Sequence, residues 1–138
     1  MFAGILPEFF LPGHHFLMVD LPVHFYWSTG LLSGVLDNAP TYLTFLTAAT
    51  AQHGVSLDDP ARVVSFLAEH GAQVVAISLG AVFFGAMTYI GNGPNFMVKA
   101  ICDHAKVRTP GFFGYIVRFS LPILLPILAA VAWFQFHR

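Results

Sequence analysis

An uncharged, apolar run from Ala72 to Ile90 stops at Gly91-Asn92-Gly93-Pro94-Asn95 and resumes as Phe96-Met97-Val98 before Lys99. As a helix rising about 1.5 Å per residue, it reaches nearly across the ~30 Å hydrocarbon core of a bilayer. The residues after it cannot continue that helix. Two glycines and a proline free backbone carbonyls and amides, and Asn92 and Asn95 add side-chain oxygens. Lipid offers these groups no partner, so a break at that depth predicts a cavity lined by protein or water. The pattern therefore predicts a broken transmembrane helix over 72–105, interrupted at 91–95, with a half-helix from about Pro94 to Ala105.

A second interruption lies upstream. Residues 24–51 are apolar on both sides of Leu36-Asp37-Asn38-Ala39-Pro40-Thr41. Each arm has about 10–13 residues, too few to cross a bilayer alone. Asn38 suits an N-cap and Pro40 the first turn of the following helix. A re-entrant helical hairpin accounts for this pattern. Residues 52–71 form a polar loop with a short surface helix of its own: Asp59 caps it, Pro60 opens it, Val63, Val64 and Leu67 share one face, and Gly71 ends it. A polar connection through Thr109-Pro110-Gly111 leads to a last transmembrane helix at 112–136, where Pro122 and Pro126 predict bends. Residues 1–23, broken by Pro7, Pro12, Gly13 and Pro22, form an interfacial or truncated N-terminal segment.

Composition narrows the class. Of 138 residues, 57% are apolar and 9% charged, against about 25% charged in soluble domains. The expectation is an all-α membrane protein. A net charge of −1 without a Lys/Arg cluster excludes a nucleic-acid footprint. One cysteine, Cys102, excludes an internal disulfide and a zinc knuckle. Loop 52–71 carries Asp58, Asp59 and Glu69 against Arg62, whereas Lys99, Lys106, Arg108 and Arg118 stand against Asp103 further on. Positive residues favour the cytoplasmic side. That puts 52–71 outside and 99–111 inside, so the hairpin enters from outside.

The candidate chemistry sits where the two interruptions meet near the midplane. The half-helices starting near Thr41 and Asn95 aim free amides and a positive dipole end at the gap, which suits an anion. Those ending near Leu36 and Ile90 aim carbonyls there, which suits a sodium ion or a proton. Asn38 and Asn95 add amide oxygens, Thr41 and Thr88 hydroxyls, and Asp37 a carboxylate inside an apolar run. An ionised carboxylate in such a run costs roughly 2.5–3.5 kcal/mol on insertion scales. A carboxylate away from water holds a proton more tightly, and sodium displaces it, so one site can exchange the two cations.

Plainer readings stand beside this one. Asp37 can simply cap the second arm, and Gly91 and Gly93 can mark an ordinary helix end. Thr41, Thr44, Thr47 and Thr50 recur every third residue, as do threonines that bond their own helix backbone. His14, His15 and His24 with Asp20 are a weak metal set, better read as interfacial. No nucleophile–base pair or phosphate-cradling loop stands out, so the chain is not read as an enzyme and needs no cofactor beyond Na+ or H+.

Two strings, Ser33-Gly34-Val35-Leu36-Asp37-Asn38-Ala39-Pro40-Thr41-Tyr42-Leu43 and the stretch from Gly80 to Lys99 with Thr88-Tyr89-Ile90-Gly91-Asn92-Gly93-Pro94-Asn95 at its centre, resemble the C-terminal part of bacterial citrate-transporter-like proteins. These are grouped as sodium:proton antiporters of the ion transporter superfamily. The likeness runs from roughly Phe25 to the C-terminus. It implies a fold of two inverted repeats moving as an elevator, of which this chain is one partial repeat. It further implies that Asp37, Asn38, Thr41, Thr88, Asn92 and Asn95 line a cation site and one side of a substrate pocket. Relatives usually carry Asn where this chain has Met87, and they are several times longer. The resemblance thus implies a fragment or half of a cation-coupled secondary transporter, for sodium:proton antiport or citrate/carboxylate transport, inactive alone. Its partners would be the bilayer of a bacterial inner membrane, which it crosses more than once, a small cation, a carboxylate, and a missing first repeat or further copies of itself. The alternative is a small membrane subunit or assembly factor that transports nothing.

Overall fold

The computed structural model describes residues 21–136. The segment read at 1–23 lies almost wholly outside them, as do His14, His15 and Asp20. Among the described residues every regular element is helical.

Helix α1, Pro22–Ser33, starts with proline at its first position after an extended Leu21. Proline is tolerated there because the first helical N–H has no intrahelical partner. A turn at 34–37 leads into α2, Asn38–Gln52. The cap of α2 is Asp37, one residue earlier than the Asn38 expected. Its extended backbone (φ −62°, ψ 146°) lets the carboxylate accept the Asn38 N–H. The four threonines of α2 each return a hydroxyl to the carbonyl four residues back, so their three-residue recurrence is local bonding. Gly54, at φ +64°, turns the chain out after α2.

Helix α3, Pro60–Glu69, is capped by Asp59, whose side chain accepts from the amides of Ala61 and Arg62. Gly71 does not end it. His70 separates it from α4, Gly71–Phe83, which continues as one 3-10 turn at Phe84–Ala86. The α3 and α4 segments meet at a 90° bend. The run expected to stay helical to Ile90 thus loosens about four residues sooner. Helix α5, Gly93–His104, follows the break with Pro94 in its first turn. Helix α6, Phe112–Phe136, is long and apolar enough to cross a membrane, with a mean hydropathy of 2.0. Its prolines produce a widened π-helical stretch at Ile116–Leu124 containing Pro122. A proline cannot donate into the α-helical ladder, and a π turn re-spaces the carbonyls it frees.

Close contacts set the helix directions. A Cβ on Gly80 would lie 2.6 Å from the Tyr26 carbonyl, and one on Gly30 would fall 2.5 Å from the Phe84 ring. The first half of α1 therefore meets the middle of α4 and its end meets the end of α4: the two run parallel. Small residues permit this approach, as they do between membrane helices. Helix α2 runs the other way, with Asn38 beside Gly85 at one end and His53 stacked on His70 at the other, ring centroids 3.7 Å apart. The α1–α2 pair is thus an antiparallel hairpin lying along α4. Helix α6 is antiparallel to α4: Tyr115 and Ser120 reach Ala86 and Met87, while the buried Tyr26 hydroxyl donates to Leu128 at 3.0 Å. Phe25, Tyr26, Phe45, Ile77, Phe84 and Leu128 form the core between these helices.

Candidate functional site

The hairpin turn and the helix break are interlocked. Asn38 is the central piece. Its inward amide atom faces the Ser33 hydroxyl at 2.9 Å and the carbonyls of Ala81 at 2.9 Å and Gly91 at 3.1 Å. The Ser33 hydroxyl already donates to the Ala81 carbonyl. All three neighbours therefore present acceptors, which assigns Nδ2 inward and turns the amide oxygen the other way. One side chain thereby ties the end of α1, the start of α2, the body of α4 and the break. Gly85 makes the room: a Cβ there would lie 2.4 Å from the inward amide atom.

Thr88 makes the second tie. Its buried hydroxyl donates to the Gly34 carbonyl at 2.7 Å and accepts from the amides of Ile90 at 3.2 Å and Gly91 at 3.0 Å. A hydroxyl has one proton and two lone pairs, so its capacity is filled. Gly91 completes the fit, since a Cβ there would come within 2.6 Å of the Ser33 carbonyl. On the opposite flank, Ser120 from the π-helical stretch donates to the Met87 carbonyl and Tyr115 donates to that of Ala86. The carbonyls of Ala86 and Met87 are therefore met by protein hydroxyls, as a break in an apolar setting requires.

The expected site residues divide into three groups. Asp37, Asn38, Thr41 and Thr88 all lie at the meeting of hairpin and break. Asp37 is exposed there; Thr41 is buried, and its hydroxyl bonds the Asp37 carbonyl at 2.9 Å. Asn92 caps α5 in position, with an extended backbone and no hydrogen bond from its side chain to the first turn. Asn95 lines a different space, a cleft between α5 and the start of α6 shared with Tyr89, Lys99 and Tyr115. Outward from the interlock, the tip offers the Asp37 carboxylate and the Asn38 amide oxygen. Oxygens of this kind are what a hard cation such as sodium takes.

Sequence reasoning missed Ser33, Gly85, Tyr115 and Ser120. A cue existed for the two serines, because a lone hydroxyl in an apolar helix needs a carbonyl to bond. For Gly85 and Tyr115 the partner is remote in the chain, and nothing local points to it.

A helical chain with one helix long and apolar enough to cross a bilayer is what a membrane protein would show. Residues 16–136 match the model of a family described as "Putative citrate transport", and the chain belongs to that family. No curated protein and no solved structure matches it.

Proposed function

We propose that the chain is one repeat of a cation-coupled secondary transporter, with its cation site at the tip of the α1–α2 hairpin. The cargo is citrate or a related carboxylate, or sodium exchanged for protons. The observation that carries this is the interlock of the hairpin turn with the helix break through Asn38 and Thr88, which leaves Asp37 exposed at the junction. Helices α1 and α2, of 12 and 15 residues, are too short to cross a bilayer. In the re-entrant reading they dip to its middle and return. That depth puts the amino ends of α2 and α5, with their positive dipole ends, beside the tip. An exposed carboxylate there is stable only when paired with a cation, protonated, or covered by protein. Thr88 and Asn38 act as positioning residues that hold the tip in register with the break. Asp37 is the exchangeable ligand.

The test is sodium-driven citrate uptake and sodium-driven proton efflux in proteoliposomes, with the chain alone and co-reconstituted with the first repeat of a family member. Asp37→Asn should abolish the sodium dependence in either assay while membrane insertion stays intact. Sodium dependence unchanged in that variant would remove Asp37 from the coupling site.

A further inference from the structure

On the far side of the break from the hairpin, a cleft of about 240 Å3 separates α5 from the start of α6. Its walls are mainly apolar, and Asn95, Lys99, Cys102 and Thr109 are among the residues that line it. The Lys99 side chain is 17% exposed, and its ammonium stands 5.7 Å from the centroid of the Tyr89 ring, another wall of the cleft. That ammonium binds both oxygens of Asp103 at 2.5 Å, and the Thr109 hydroxyl reaches Asp103 at 3.4 Å. Asp103 itself is 56% exposed. Two groups of the cleft wall thus already grip a carboxylate, and that carboxylate stands largely in solvent.

An exposed ion pair between residues four apart on a helix stabilises little and exchanges readily. A free carboxylate in the cleft would come within reach of the same ammonium and hydroxyl and also the Asn95 amide, between apolar walls that lower the local dielectric. We infer that the cleft is a carboxylate-binding vestibule separate from the hairpin tip, in which an acid group of the cargo displaces Asp103 from Lys99 and Thr109. Asp103 acts as the resident competitor: it holds the ammonium while the cleft is empty and swings outward when an acid arrives. This rests on the reading of the chain as a carrier of small carboxylates.

Cys102 supplies the readout, because it lines the cleft and is the single cysteine of the chain. The full chain in lipid nanodiscs is alkylated with a maleimide in rising citrate, against chloride at matched ionic strength. Citrate should slow Cys102 alkylation. Lys99→Gln should raise the half-protecting citrate concentration roughly tenfold, the scale of one charge-assisted hydrogen bond. Asp103→Asn, which removes only an exposed competitor, should lower it. Asp37→Asn should leave protection as it is, so a failure of the tip reading and a failure of the cleft are distinguishable. Alkylation indifferent to citrate, or equal protection in Lys99→Gln, overturns the inference. If Lys99→Gln does not insert, an unchanged half-protecting concentration in Asp103→Asn overturns it instead.

Discussion

At the residue scale, hydroxyl and amide side chains stand in for missing backbone bonds. Thr88 serves a carbonyl of the hairpin turn and two amides of the break at once. Thr88→Val keeps the shape and removes all three bonds. Leaving buried amides unpartnered costs about 1–3 kcal/mol each, so the variant should lose about 2 kcal/mol or more, read as a lowered thermal midpoint in detergent. Thr88→Ser should recover most of it. A midpoint unmoved by Thr88→Val would mean that water, not the hydroxyl, satisfies the break. Asn38→Asp is the companion test. It places an acceptor against Ser33, Ala81 and Gly91, which already present acceptors, and should destabilise more than Asn38→Ala. Asn38 and Thr88 were legible as candidates because each is a polar residue beside an interruption of an apolar run, whereas Ser33 was not singled out. Which of them bond protein and which face outward was not, since that depends on acceptors some fifty residues away.

At the element scale, the arrangement depends on how closely helices approach. Gly80 lets α4 touch the backbone of α1. Gly80→Leu should force the two apart and uncouple hairpin from break, losing detergent-resistant folding. Gly71→Ala, with open space around it, should be harmless by the same assay. Equal tolerance of both would contradict the packing. The helical segments themselves were largely readable: α2, α3, α5 and α6 fall close to where apolar runs, caps and prolines place them. The end of α4 was not. Composition allows helix to Ile90, yet the α-helix ends at Phe83 and its 3-10 extension at Ala86, where Asn38, Tyr115 and Ser120 offer bonds that compete with the helical ladder. The π-helical stretch in α6 likewise follows from two prolines plus remote carbonyls to satisfy, and prolines alone predict only a bend.

At the scale of the whole molecule, the directions of the helices carry the topology. Parallel α1 and α4, with α2 returning beside them, bring the α2–α3 loop and the α3–α4 junction to one end. The beginning of α6 lies towards the other end, beside the break. Acidic residues at 58, 59 and 69 and basic residues at 106 and 108 then fall towards opposite ends of the helices, and a positive-inside orientation would put the basic end in the cytoplasm. In a Cys102→Ser background, a cysteine placed at Ser56 should react with an impermeant maleimide from outside intact cells, and one at Val107 only after permeabilisation. Labelling of both from one side would reject the re-entrant topology.

The linear order of residues was enough to predict helices, two interruptions and a chain rich in apolar residues, because periodicity, caps and the shortage of charge are local properties. Tertiary structure alone decided that the interruptions meet, that Asn38 and Thr88 are held by backbone partners while Asp37 stays exposed, and that Asn95 belongs to another cleft. Hydrogen bonds from side chains to distant peptide groups leave no periodic trace in a chain; they exist only once helices have come close enough to form them.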